Sequence, residues 1–257
     1  MSFRSSGNRE ALASQFMQFT QASADVARKT LQSNNWNLEA AIDSYYQNHS
    51  DNSSATTQTN ARAISDIFDK YKQPDSPPDT LSITGTMAYF DAIDLALDDP
   101  TVLALSKALD SPTMGEITRK GFTDGWTFLG ADSIEKMKEK LRELRTKMDT
   151  NDEYFKEVYN WTFDWAKPPG QKGIPHETAT EWWRLLLAGR FQGHLDYWID
   201  FINNKWKKTI SRDTWKMLHE FVPYATVTDP TLTNFDEMSS WPSVIDGYVE
   251  YYKDLAK

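Results

Sequence analysis

Cysteine is absent from the 257 residues, so the chain can form no disulfide, no thiolate metal site and no thioester of its own. Long apolar runs are missing too. No stretch approaches the roughly 18 residues that a membrane span needs, the mean hydropathy is −0.64, and Met1 to Arg9 has no signal-type hydrophobic segment. Basic charge is in deficit: 28 Lys and Arg against 37 Asp and Glu leave −9, a surface that repels phosphate backbones and anionic headgroups. Neither nucleic acid nor membrane is expected as a partner, and the chain reads as soluble and intracellular, in nucleus and cytoplasm. Motifs of chemistry are scarce as well. His49, His176, His194 and His219 fall in no paired metal spacing, no Gly-x-Ser-x-Gly elbow occurs, and Pro168-Pro169-Gly170-Gln171-Lys172-Gly173 lacks the phosphate-loop spacing. Asp236 and Glu237 are adjacent loop acids of ordinary solvated kind. The expectation is a non-catalytic binding protein with no cofactor and no metal.

Aromatic rings are abundant instead: 10 Trp, 11 Tyr and 13 Phe, with nine of the ten Trp between Trp126 and Trp241. Such rings fill cores and anchor interfaces. Residues 48–61 contain no large apolar side chain and cannot offset the entropy of ordering. They read as a flexible linker between a module at 8–47 and a body at 62–257. The module shows helical patterns at 11–19, 22–32 and 37–48, with Asn37 as an N-cap. Met17-Gln18-Phe19 closing the first helix, Asn34-Asn35-Trp36 ending the second and Leu38-Glu39-Ala40-Ala41-Ile42 opening the third resemble the ubiquitin-associated (UBA) domain. That resemblance implies a face for ubiquitin or a ubiquitin-like modifier containing Met17, Gln18 and Phe19.

The body reads as helical, which makes the whole chain all-α. Ile83-Thr84, Ile117-Thr118, Ile174-Pro175 and Ile210-Ser211 recur 34, 57 and 36 residues apart, the rhythm of paired EF-hands whose loop isoleucines touch as short strands. The expected architecture is a three-helix UBA-like bundle followed by two degenerate EF-hand-like pairs. The loops lack calcium chemistry: with Asp110 in the first position, Pro112, Met114 and Gly121 stand at the third, fifth and twelfth, where oxygen ligands are needed. Between the pairs, Asp132 and Glu135 have capping-box spacing, and the lysines and arginines from Lys136 to Lys147 alternate with Glu135, Glu139 and Glu143, a pattern read as a solvated connector. From Asp213 to Lys257 eight acids face three lysines. With Trp215 and Trp241 embedded there, this segment is either an interface for a basic partner or an acidic face over core tryptophans.

Gly130-Ala131-Asp132-Ser133-Ile134-Glu135-Lys136, Pro169-Gly170-Gln171-Lys172-Gly173, Leu187-Ala188-Gly189-Arg190-Phe191, Ile210-Ser211-Arg212-Asp213-Thr214-Trp215 and Trp241-Pro242-Ser243-Val244-Ile245-Asp246 resemble, in order, the potentiating-neddylation domain of the defective-in-cullin-neddylation family. The resemblance implies a scaffold-type co-ligase that holds a cullin, with its RING-box subunit, and the neddylation conjugating enzyme in one complex. It implies that Asp213, Ser240 (alanine in the family) and Asp246 contact the basic winged-helix region of the cullin. It further implies an apolar cleft for the acetylated N-terminus of the conjugating enzyme, walled by Ile83, Val102, Leu105, Met114, Ile117, Trp165, Trp182 and Leu185. Met87 and Phe90 are left out of that wall because residues 85–99 depart from the family spacing. The alternative is a ubiquitin-binding adaptor with an EF-hand-like peptide-binding body unconnected to ligation.

Overall fold

A computed structural model describes residues 9, 12–17, 20, 24–42, 59–236, 238 and 240–255. The chain divides into two compact units, Met1–Gln58 and Thr59–Lys257.

In the first unit, α1 (Ala24–Ser33) is flanked by helical residues 12–17 and 38–42. Phe16, Leu31 and the alanines at 13, 27 and 41 form its small buried core. Asn37 is the cap its position suggests, its Oδ1 accepting from the Ala40 N–H at 3.1 Å. The expected linker at 48–61 lies outside the described residues as far as 58. Asn60 then caps the first helix of the body, accepting from the N–H groups of Arg62 and Ala63 at 3.1 Å each.

The second unit has two buried cores. Around the first pack α2 (Ala61–Tyr71), α3 (Ile83–Ala92) and α5 (Arg119–Leu129), with Phe68, Tyr89, Phe122 and Trp126 at its centre. The second is formed by α7 (Asp152–Ala166), α8 (His176–Leu187), α9 (Leu195–Phe201), α10 (Arg212–Pro223) and α11 (Ser243–Leu255). Two helices give buried residues to both: α4 (Thr101–Ala108) gives Leu105 to the first and Leu103 to the second, while α6 (Ile134–Thr150) gives Met137, Leu141 and Leu144 to the first and Met148 to the second. Thus α6 buries a continuous stripe at helical spacing and is only on its other face the solvated connector expected. Its cap is Ser133, which accepts from the Lys136 N–H at 3.4 Å. Asp132 instead holds Lys136 Nζ at 2.7 Å and accepts from the Asn60 N–H at 3.0 Å.

Each half carries one short antiparallel pair. β3 (Gly173–Ile174) meets β4 (Ile210–Ser211) with Ile174 opposite Ile210, the isoleucine contact expected from the repeat. β1 (Thr80–Leu81) meets β2 (Ile117–Thr118), and there Leu81, not Ile83, lies opposite Ile117. A two-residue shift keeps the same strand face, and it frees Ile83 to open α3.

The aromatic content is concentrated in the second core. Trp215 stacks on Tyr159 at 4.7 Å and on Trp183 at 5.2 Å. The polar ends of these rings close on one another: Trp183 Nε1 donates to Tyr159 Oη at 2.9 Å, Tyr159 Oη to the Trp215 carbonyl at 2.8 Å, and Trp215 Nε1 to the Tyr159 carbonyl at 2.9 Å. Burial of large rings with satisfied donors fixes the angle between α7, α8 and α10. In the acidic tail, Trp215 is therefore core, whereas Trp241 is half-buried and packs edge-on against Phe221 at 5.5 Å.

Candidate functional site: an apolar cleft and an acidic surface

Four of the nine exposed large apolar side chains among the described residues, Ile83, Met87, Leu97 and Met114, rim one cleft of about 260 Å³ in the second unit. Such clustering marks a binding surface where scattered apolar residues would not. One side is α3, with Ile83, Met87 and Phe90 at i, i+4 and i+7. The other is an aromatic wall in which Trp165 meets Trp182 edge-on at 5.5 Å and stacks on Trp161 at 5.2 Å.

The floor depends on a tight loop. Ser111 Oγ lies 2.9 Å from the Thr113 carbonyl and 2.8 Å from that of Glu116, and Trp165 Nε1 donates to the same Oγ at 3.3 Å. Gly115 completes the turn at φ +79°, and a Cβ there would sit 2.1 Å from Ile83 Cγ1. Glycine is required on both counts. Two buried polar atoms on the walls, Thr86 Oγ1 and Trp182 Nε1, have no hydrogen-bond partner within the protein. A cleft walled mainly by apolar side chains suits a greasy guest without a charge.

Of the eight wall residues expected from sequence, seven line this cleft: Ile83, Val102, Met114, Ile117, Trp165, Trp182 and Leu185. Leu105 does not; it is fully buried in the first core. Met87 and Phe90 do line it, together with Leu97 and the polar residues Thr86, Ser106, Ser111 and Glu116. The helical spacing of Ile83, Met87 and Phe90 is the signal that could have found the first two.

Asp213 stands exposed in the first turn of α10. Ser211 caps that turn, its Oγ accepting from the Thr214 N–H at 3.0 Å, and buried Trp215 fixes which way the helix faces. Beside it, Arg212 is held by Asp164, with one contact at 2.7 Å, and lies 5.1 Å from the Phe163 ring centre. Asp246 lies half-buried in the first turn of α11, whose opposite face buries Val244, Ile245, Tyr248 and Val249. Ser240 is exposed at the end of a loop shaped by Asp229. That buried carboxylate accepts from the Thr233 N–H at 3.2 Å and the Asn234 N–H at 2.7 Å. Behind α11, His194 Nδ1 lies 2.8 Å from Tyr248 Oη and Nε2 lies 3.0 Å from the Pro230 carbonyl. Burial holds the His194 pKa below its ordinary value and pushes that of Tyr248 upward.

In the first unit Met17 is half-buried against the small core, while Gln18 and Phe19 lie outside the described residues. Among the described residues no group of three His, Asp or Glu could hold a metal ion, and no helix is long and apolar enough to cross a membrane.

Comparison with known proteins adds an independent line. Residues 136–251 match the family described as cullin binding, and residues 10–52 match the UBA-like domain. "Defective in cullin neddylation protein 1" of Yarrowia lipolytica is 39% identical over 238 residues, covering 93% of this chain and 94% of that protein. The protein of the same name in Candida albicans is 30% identical, covering 95% and 97%, and "DCN1-like protein 3" of Rattus norvegicus is 32% identical, covering 78% and 65%. Similarity of that extent, over both units and the cleft-bearing body, means that the chain belongs to the defective in cullin neddylation family.

Proposed function

We propose that the protein is a scaffold-type co-ligase in cullin neddylation, with no catalytic residue of its own. Asp213, Ser240 and Asp246 contact the basic winged-helix region of a cullin, the RING-box subunit joins through the cullin, and the apolar cleft takes the acetylated N-terminus of the conjugating enzyme. The UBA-like unit, through the region of Met17, Gln18 and Phe19, engages ubiquitin or a ubiquitin-like modifier. In the body, the paired two-residue strands support reading its helices as two degenerate EF-hand pairs.

The observation that supports this reading is the presence, on one body, of an apolar cleft with an exposed rim and, on other elements, of the solvent-reached acids Asp213 and Asp246. A protein that only holds partners needs two such faces and no nucleophile. Its effect on rate is positional: a thioester and an acceptor lysine held in one complex react at a raised effective concentration. Acetylation suits the cleft because it deletes an ammonium charge that is costly to desolvate.

A reconstituted transfer of the modifier to a cullin, with and without this protein, tests the proposal. The wild type should accelerate transfer, and Asp213→Lys with Asp246→Lys should weaken cullin affinity at least tenfold while thermal unfolding changes little, because charge reversal places like charges opposite one another. An unaltered transfer rate with the wild type would return the adaptor reading to first place.

A further inference from the structure

Asp246 and Ser240 lie on different elements, α11 and the segment between α10 and α11, and one buried side chain touches both. His194 is 2% exposed and directly precedes α9. Its Nδ1 lies 2.8 Å from the hydroxyl of Tyr248, two residues beyond Asp246, and its Nε2 lies 3.0 Å from the carbonyl of Pro230, in the loop that leads to Ser240. The Tyr248 hydroxyl also donates to the His194 carbonyl at 3.3 Å. The rest of α9 continues this seam: Tyr251 Oη donates to Asp200, and a Cβ on Gly247 would sit 3.2 Å from the Phe201 ring. Otherwise the imidazole is surrounded by rings, with Phe191 stacked on it at 5.5 Å and Tyr252 at 4.6 Å between ring centres. An apolar ring would fill that space without the cost of burying a polar group. What the imidazole adds is two directional contacts. Burial of Val244, Ile245 and Val249 settles which side of α11 faces the core, but apolar burial is non-directional and permits small slides along the axis. A hydrogen bond weakens steeply when misaligned.

We infer that His194 is a positioning residue for the cullin-binding surface: by tying Tyr248 to Pro230 it sets where Asp246 stands relative to Ser240, without touching the partner itself. This rests on reading Asp213, Ser240 and Asp246 as the cullin contacts, and goes beyond it by assigning the buried residue that presents two of the three together. Asp213 is fixed separately, by the Ser211 cap and the buried Trp215 of α10. Loss of the tie therefore leaves one contact in place and misaligns the other two, which weakens the hold on a basic partner without abolishing it. No residue of the seam lines the apolar cleft. The partner held there is indifferent to the change.

The test is transfer of the modifier to a cullin, reconstituted with the full-length protein well below its unfolding midpoint, with KM measured separately for the cullin and for the charged conjugating enzyme. His194→Phe keeps the ring packing and removes both ties, so the KM for the cullin should rise about tenfold while that for the conjugating enzyme stays unaltered. His194→Gln, whose amide can donate to the Pro230 carbonyl, should restore most of the loss. Tyr248→Phe removes only the hydroxyl and should raise the cullin KM about threefold; it carries the test with the same two readouts if His194→Phe does not fold. A role in stability alone would move both KM values together, and that result overturns the inference. So does an unaltered cullin KM in the variants, which leaves the co-ligase reading standing. Absence of any acceleration by the wild type overturns that reading and the inference with it, so the two failures are told apart.

Discussion

Single residues set the shape of both candidate surfaces. Asp229 accepts two backbone N–H groups and lies 3.3 Å from Thr231 Oγ1, so truncation strands donors inside the loop that leads to Ser240. Asp229→Ala should cost about 1–3 kcal/mol, seen as a lower denaturant midpoint, and should also reduce cullin affinity although the residue is buried. Gly115→Ala should disturb the cleft more selectively, since the new Cβ must displace Ile83 and strain a left-handed turn. Binding of an acetylated methionine peptide should fall at least tenfold with cullin affinity retained. Not all of the wall was legible at this scale. The sequence of α4, Thr-Val-Leu-Ala-Leu-Ser-Lys-Ala, is apolar nearly all round, so Val102 on the cleft and Leu105 in the core are indistinguishable by pattern. Only the positions of α3 and α8 separate them.

At the scale of elements, α11 is held to the rest of the second core through neutral histidine. The ring meets Tyr248 Oη at Nδ1 (2.8 Å) and the Pro230 carbonyl at Nε2 (3.0 Å), the Tyr248 hydroxyl also donates to the His194 carbonyl at 3.3 Å, and burial disfavours the charged ring. His219 is likewise held below its ordinary pKa, chiefly by burial. Both groups have folded-state pKa values below their unfolded ones, so between those values the unfolded chain binds more protons. Their contribution to stability is whole above about pH 6.5 and declines as pH falls below it. The carboxyls of Asp69, beside Arg119, and Glu220, beside Lys156, are also held low by their cations. Their stabilisation, present above the unfolded carboxyl pKa, is lost only at more acid pH, near about 4 and below. Urea midpoints measured from pH 7.5 to 5 should decline, and His194→Asn should lower the neutral midpoint while flattening that decline. Element identity was the most legible part of the sequence. The cap at Asn37 on helical residues 38–42 and the Ile174–Ile210 contact follow from local chemistry, whereas in the first strand pair Leu81 faces Ile117 while Ile83 lies over Gly115.

For the whole molecule, the proposed activity is simultaneous capture, and that has a kinetic signature. In the reconstituted transfer, rate plotted against the amount of this protein should rise and then fall, because excess scaffold places the two partners on different copies. A plateau without decline would speak for a catalyst acting on one partner at a time. What the sequence determined by itself was the set of faces: absence of cysteine, acidic balance, helical periodicity and ordered motifs are properties of the chain and survive any arrangement of it. Which faces meet solvent was decided by tertiary structure. Periodicity states that residues share a side of a helix, but burial depends on what packs against that side. Trp215 became core by stacking on Tyr159 and Trp183, Asp213 two residues earlier was left outside, and the cleft arose only where Ile83, Trp165 and Trp182, distant in sequence, converge on one space.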